Sequence, residues 1–373
     1  MTTTTHLWLR EETKPFEHRA ALSPEVCRQL IAQGFQITAE RSEQRIFDDQ
    51  EYADAGCTVV AGGTWKTEAP RDAYVIGLKE LPENDESPLP HTHIMFAHCF
   101  KNQGGWKDVL ARFDRGQGTL LDLEFLNDPN GRRVAAFGFH AGFAGAAVGI
   151  DLWCHQHSDD AKAPFPAVHP YPNEDALVTE LRAKVAQAAE RLGRYPRLIV
   201  IGALGRCGRG ALDLARKVGI PEDHLLKWDM AETAKGGPFQ EIADSDIFIN
   251  CIYLSTPIPP FITQAQLDRP ERRLSVIVDV SCDTTNPHNP IPFYNVNTTF
   301  DHPTLTVPTA VGTPKLEIVA IDHLPTMLPR ESSHAFSSDL LPSLLELPSR
   351  SNARVWTDAE ALFHRKVADM KAE

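Results

Sequence analysis

The 373-residue sequence has no C-x-x-C pair. Its seven cysteines, Cys27, Cys57, Cys99, Cys154, Cys207, Cys251 and Cys282, are scattered along the chain. That excludes a zinc ribbon and a dense disulfide scaffold. Positive charge is also scarce: 37 Lys and Arg against 50 Asp and Glu leave a formal charge of −13. Such a chain is poorly suited to a nucleic-acid backbone or an anionic membrane, so neither is expected as a partner. Any positive charge that matters must be local, placed to meet a small anion. There is no long hydrophobic run either. The longest apolar stretch, 134–150, is broken by His140 and falls short of the roughly 20 residues that a span needs. The first residues, Met1 to His6, lack the basic-then-apolar order of a signal peptide, and Lys371-Ala372-Glu373 is not a peroxisomal tripeptide. The expectation is a cytoplasmic protein with reduced cysteines, and a monomer.

What is present is alternation. Short apolar runs at 7–9, 35–38, 58–60, 74–78, 94–96 and 119–125 are interleaved with helical patterns at 23–33, 48–55 and 106–113. This is the signature of α/β architecture. Residues 135–154 carry glycines at 138, 142, 145 and 149, which line small residues along one helix face. A buried helix linking two domains is expected there, rather than a membrane dimerisation face. Residues 157–173 read as a loop and 175–192 as a long helix, before a second β-α-β block that begins at Leu198. After Pro308 the pattern is punctuated by proline and ends in helical segments at 340–347 and 358–370.

The second block opens with Arg197-Leu198-Ile199-Val200-Ile201-Gly202, a β-branched strand running into Gly202, Gly205 and Gly208. A G-x-x-G-x-x-G loop before a helix provides a tight turn, a backbone free of Cβ near a pyrophosphate, and N–H groups at a helix start. The next strand ends at Asp229, 21 residues beyond Gly208, where a Rossmann unit places the acid that binds the ribose hydroxyls. An acid there repels a 2′-phosphate, which favours NAD over NADP. Arg206 and Arg209 are counter-signals, since either can reach a phosphate. Further strands at 247–253 and 275–280 place Tyr253 and Val280-Ser281-Cys282-Asp283 at their ends. Cys207 and Cys251 fall on neighbouring strands. A disulfide between them is open on geometry, with two thiols expected in a reducing cell.

Three features of the first block look chemical. Arg19, in the loop Lys14-Pro15-Phe16-Glu17-His18-Arg19, is suited to a bidentate grip on a carboxylate. Lys79 ends an apolar strand, where partial desolvation turns an ammonium into a usable base. His91, His93 and His98 form a cluster without an acid or cysteine at zinc spacing, so no metal is expected, and His98 is the acid/base candidate.

Together these segments resemble the saccharopine dehydrogenases, the NAD-dependent, L-lysine-forming enzymes of the α-aminoadipate route. The resemblance runs from Leu9 to the final helix. It rests on Glu12-Thr13-Lys14-Pro15 with Arg19, on Gly77-Leu78-Lys79-Glu80, on Phe96-Ala97-His98-Cys99 and on Gly131-Arg132-Arg133-Val134-Ala135-Ala136-Phe137-Gly138-Phe139. It continues through the glycine loop, Asp283-Thr284-Thr285-Asn286-Pro287-His288-Asn289-Pro290, and Ile321-Asp322-His323-Leu324-Pro325. The N-terminal blocks are also similar to alanine dehydrogenase and the transhydrogenase nucleotide-binding subunit. The resemblance implies two Rossmann-like domains with a cleft between them and C-terminal helices returning to the first. A substrate domain would comprise 1–135 plus 331–373, and an NAD domain 136–330. It implies Lys79 as the base for the secondary amine and His98 as the acid/base of imine hydrolysis. Arg19, Lys79, Gln103, Arg133, Phe137, Ser281, Cys282 and Asp283 would line the substrate site. Arg132, Gly205, Arg206, Asp229, Thr233, Tyr253, Val280, Ile321, Asp322 and Leu324 would hold NAD. Glu80 and Glu124 are acids placed to tune the catalytic pair. The implied substrates are saccharopine, L-lysine and 2-oxoglutarate. The alternatives are an amino-acid dehydrogenase of the alanine type and a non-catalytic NAD(H)-binding protein.

Overall fold

The computed structural model describes residues 4–82, 84–101, 103–254, 256–282, 284 and 288–372. The chain divides into two compact units, Met1–Ala136 with Pro329–Glu373, and Phe137–Leu328.

The first unit starts with β1 (His6–Leu9), α1 (Pro24–Ala32), β2 (Gln36–Glu40), α2 (Asp49–Asp54), β3 (Thr58–Val60) and α3 (Trp65–Glu68). It continues through β4 (Tyr74–Ile76), β5 (Thr92–Met95), α4 (Trp106–Gly116) and β6 (Thr119–Asp122). The start of α1 is set locally. Ser23 caps it by accepting the Val26 N–H at 3.3 Å, and Pro24 occupies the first turn, where no N–H is needed. The strands pair in parallel in the order β3-β2-β1-β4-β5-β6. The order reverses between β1 and β4, and in open parallel sheets ligands bind beyond the strand ends at such a switch. Alternate residues face opposite sides, so Trp8, Val75, Met95 and Leu120 share one core with Phe113 and Phe363.

The second unit holds α5 (Gly138–Gln156), α6 (Glu174–Leu192), β7 (Leu198–Ile201), α7 (Arg206–Lys217), β8 (Leu225–Trp228) and α8 (Met230–Thr233). Then come α9 (Gln240–Ala243), β9 (Ile247–Asn250), α10 (Gln264–Leu267), β10 (Val276–Asp279), β11 (Leu305–Thr306) and β12 (Glu317–Val319). The sheet order is β11-β12-β10-β9-β7-β8, parallel except for β11 at the edge. Every residue of β7, β9 and β10 is buried. Leu198, Val200, Ile247 and Ile249 face one core, Ile199, Ile201 and Phe248 the other. Helices on both faces explain why these strands read as continuous apolar runs. The glycine-lined α5 packs inside this unit, along α7 and β10.

The chain then returns to the first unit as α11 (Pro329–Leu344) and α12 (Arg354–Ala372). α11 lies against α1 and α12 against β6 and α4. No helix among the described residues is long and apolar enough to cross a membrane.

Candidate active site

Beyond the C-terminal ends of the first sheet, charged side chains of alternating sign follow one another. Lys79 is half-buried three residues past β4. Burial, with Arg19 and Lys14 nearby, lowers its pKa against the opposing pull of Glu17 and Glu80. His98 lies three residues past β5 in a left-handed conformation, φ 49°. Its ring stacks on Phe96 with centroids 6.3 Å apart, and its Nε2 is 3.7 Å from Glu80 Oε1. Burial, aided by Lys79, lowers the His98 pKa, while Glu80 and Glu124 pull it up. Burial alone would raise the Glu80 carboxyl, but its own backbone N–H, His98, Lys14 and Lys79 outweigh that and hold it low. Glu124, just past β6, meets Lys101 at 2.8 Å and Arg133 at 3.2 Å.

Arg19 is 3% exposed and already grips a carboxylate of its own chain. Its Nε and Nη2 each donate to Glu17 at 2.7 Å. The sequence reading named the arginine and not this partner, because an i, i+2 spacing in a loop does not reveal a pairing. A second missed acid is Asp122, at the end of β6. It accepts the N–H groups of Glu124 at 2.8 Å and Ala97 at 3.3 Å, so it ties together the loops that carry Glu124 and His98. Gln103 accepts the Lys101 N–H through Oε1 at 2.8 Å. Glu80, His98, Gln103, Trp106 and Arg112 line a cavity of about 750 Å³ within this unit. His93 is a packing residue, fully buried against Trp65 at 5.0 Å and Phe113 at 5.4 Å.

In the second unit the switch falls between β7 and β9, where the glycine loop leaves β7. Gly202 has φ +89°, a conformation that glycine adopts without strain. A Cβ on Gly208 would strike the Gly202 carbonyl, so the loop closes this tightly only because both positions are glycine. α7 begins at Arg206 on an N-cap, Gly205, that has no side chain to cap it. A helix start of this kind directs backbone N–H groups toward an anion. Asp229, at the end of β8, accepts the Leu204 N–H at 3.0 Å and the Met230 N–H at 2.9 Å, which fixes the carboxylate beside the loop. Thr233 donates to the Asp229 carbonyl at 2.9 Å. Loop, uncapped helix start and carboxylate fit the pyrophosphate and ribose of NAD.

Tyr253 is 63% exposed at the switch, and Val280 follows β10. Ile321 and Leu324 are buried in the core, whereas Asp322 is exposed. Ser281 donates to the Ile252 carbonyl at 2.7 Å, and the Cys282 N–H donates to Asp279 at 3.3 Å. Asp283 lies outside the described residues. Cys207 and Cys251 are thiols in hydrogen-bond contact. Phe137 opens the second unit, whereas Arg132, Arg133, Gln103 and Arg19 belong to the first.

Residues 8–144 match the model of the alanine dehydrogenase/PNT N-terminal domain. Two solved structures share the fold. An L-alanine dehydrogenase has a TM-score of 0.66 at 16% identity, covering 98% of this chain and 100% of its own. A transhydrogenase from Sinorhizobium meliloti has a TM-score of 0.58 at 18% identity, covering 92% and 95%. Sequence relatives are far nearer. The chain is 61% identical to a saccharopine dehydrogenase [NAD(+), L-lysine-forming] of Yarrowia lipolytica, over 98% of this chain and 99% of that one. A protein of the same name from Schizosaccharomyces pombe is 60% identical, over 97% and 98%. With these relatives and this fold, the chain belongs to the NAD(+)-dependent, L-lysine-forming saccharopine dehydrogenase family.

Proposed function

We propose that the chain oxidises L-saccharopine with NAD⁺ and water to L-lysine, 2-oxoglutarate, NADH and a proton, reversibly, as the last step of lysine formation by the α-aminoadipate route. The observation that carries this reading is a lysine whose pKa is lowered by burial and a histidine 3.7 Å from Glu80, a carboxylate whose charge acts on both.

The chemistry asks for two proton handlers. Neutral Lys79 takes the proton from the secondary amine of saccharopine, which frees the nitrogen lone pair to drive hydride loss from the glutamyl Cα. NAD⁺, when bound, supplies the hydride acceptor. Water then adds to the imine carbon; His98 accepts its proton and returns one to the departing lysine amine. Because the His98 pKa is lowered, the ring is neutral near pH 7 and ready to act as a base. The three carboxylates of saccharopine call for cations in an otherwise acidic protein. Arg19 and Arg133 are assigned to them, with Gln103, Phe137, Ser281, Cys282 and Asp283 completing the substrate site. Gly205, Arg206, Asp229, Thr233, Tyr253, Val280, Ile321, Asp322, Leu324 and Arg132 are assigned to the cofactor. Seven scattered cysteines with no C-x-x-C pair suit a reducing compartment, so the chain is assigned to the cytoplasm, and the enzyme is taken to act as a monomer.

The test is NADH oxidation with 2-oxoglutarate and L-lysine. Consumption should depend on lysine and vanish when ammonia replaces it. Lys79→Met with His98→Gln should lose at least about 100-fold in kcat and still bind NADH. Oxidation supported by ammonia and pyruvate instead would assign the chain to the alanine type, and NADH binding without turnover to the sensor reading.

A further inference from the structure

We infer that Glu12 and Arg10 are positioning residues for Lys79, clasping the backbone of the proposed base at both its N–H and its C=O across the switch point of the first sheet. The inference rests on the reading of Lys79 as the base.

The parallel ladder between β1 and β4 ends with the Arg10 N–H donating to the Ile76 carbonyl at 3.0 Å. Past that bond the two backbones separate, as they must at a switch point, where the chain leaving each strand turns away. On its other side the chain stays paired with the segment around β5. Gly77 donates to the Ile94 carbonyl and Phe96 to the Leu78 carbonyl, both at 3.0 Å. The N–H groups of Leu78 and Lys79 thus lose their natural partner strand in a buried place, where an unmade hydrogen bond is costly.

The Glu12 side chain takes the place of that strand. Its Oε1 accepts from Leu78 at 2.5 Å and its Oε2 from Lys79 at 2.9 Å. Arg10 completes the clasp from below. Its Nη1 contacts Glu12 Oε2 at 3.3 Å, and its Nη2 donates to the Lys79 carbonyl. Both side chains are nearly inaccessible, at 2% and 6%. A buried ion pair is weak evidence for stability, because apolar residues of the same size often do as well. Here the pair provides what apolar residues lack: two acceptors and a donor aimed at the main chain of Leu78 and Lys79. Gly77 provides the room, since a Cβ there would fall on the Arg10 guanidinium.

The Lys79 ammonium sits at the end of a four-carbon stem, so its position among Arg19, Glu17, Lys14, Glu80 and His98 depends on where the peptide is held. Neither Glu12 nor Arg10 has to touch substrate. Loosening the peptide should let the ammonium regain water, and its pKa should climb back toward that of free lysine.

The test compares Glu12→Gln, Gly77→Ala and Lys79→Met with the unaltered full-length enzyme. Glu12→Gln preserves shape but turns one acceptor into a donor facing a backbone N–H. Gly77→Ala displaces Arg10 without altering any charge. Both should reduce kcat for saccharopine oxidation about 10- to 100-fold, the scale expected for sub-ångström misplacement of a reacting group. NADH affinity, which belongs to the other unit, should stay the same. The limb of the pH–rate profile that Lys79→Met abolishes should move to higher pH in Gly77→Ala, which removes no charge. A wild-type kcat in Glu12→Gln together with an unmoved limb in Gly77→Ala would overturn the inference even if both melting temperatures fell, because a purely structural role predicts that pattern. Near-normal turnover by Lys79→Met would instead remove the reading of Lys79, and this inference with it. An inactive Lys79→Met beside unaffected Glu12→Gln and Gly77→Ala removes the inference alone.

Discussion

Glu80 acts on two titrations at once. It is 3.7 Å from His98, and its charge raises the pKa of both His98 and Lys79 against the lowering effect of burial. Oxidation of the secondary amine requires neutral Lys79, so the rate should rise with pH and level off once the lysine has lost its proton. Removing the Glu80 charge lowers both pKa values further. In Glu80→Gln the acid limb of kcat should therefore move to lower pH, as read from initial rates across pH; a limb moving upward would contradict the assigned electrostatics. Lys79, His98 and Arg19 were legible in the sequence because each is an ionisable group where a strand or loop ends. Glu17 and Asp122 were not, because a carboxylate's use depends on which N–H groups or cations the fold brings within 3 Å.

The α5–α7 pair shows how an element can be set by what it lacks. Gly142 faces the Cys207 carbonyl so closely that a Cβ there would overlap it, while a Cβ on Gly138 would meet the Arg206 Cβ at 3.4 Å. Gly142→Ala should destabilise the protein by about 1–3 kcal/mol and weaken NADH binding, because relief must come from moving the first turn of α7. Gly138→Ala should cost less than about 1 kcal/mol. Melting curves and NADH titration of the two variants check this, and equal effects would argue against close packing as the reason for the glycines. The repeat at 138, 142, 145 and 149 announced such a face. The start of α11 gave no comparable signal. Its buried positions include Ser332, Ser333 and Ser337, and it docks by hydrogen bonds: Ser333 accepts the Ala20 N–H at 2.9 Å and Ser337 donates to Ser23 at 3.0 Å. With no apolar period, its first turns were missed, and so was β12, a three-residue strand containing the buried Glu317.

Across the whole molecule, several buried acids link stability to pH, Asp122 among them. Burial, with the Glu124 charge added, pushes the Asp122 carboxyl up to about 7, despite N–H donors from Glu124 and Ala97. A carboxyl whose folded pKa exceeds its unfolded value favours folding fully only below the unfolded value, near 4. That contribution is lost as pH rises through about 7. The melting temperature should therefore fall between about pH 4 and about pH 7 and level off above that, with a slope for a single group of at most about 1.4 kcal/mol per pH step. Asp122→Asn should flatten that fall. Differential scanning at constant ionic strength measures it, and an unchanged slope in the variant would assign the dependence elsewhere.

Periodicity and punctuation were enough to identify the α/β class, most strands of both sheets and the dinucleotide loop. These follow from local rules: β-branched runs, the Ser-Pro helix start before α1, glycines where no Cβ fits, and an acid at the end of the next strand. The family resemblance added roles to Lys79 and His98. The tertiary structure alone decided who meets whom. Strand order is a long-range property, and it is strand order that brings the end of β1 beside the end of β4, so that Glu12 reaches the Lys79 peptide 67 residues further along the chain. The same holds for Asp122 with Ala97, 25 residues apart. Side chains show their chemistry in the sequence, while their partners exist only once the sheet has assembled and water has been excluded.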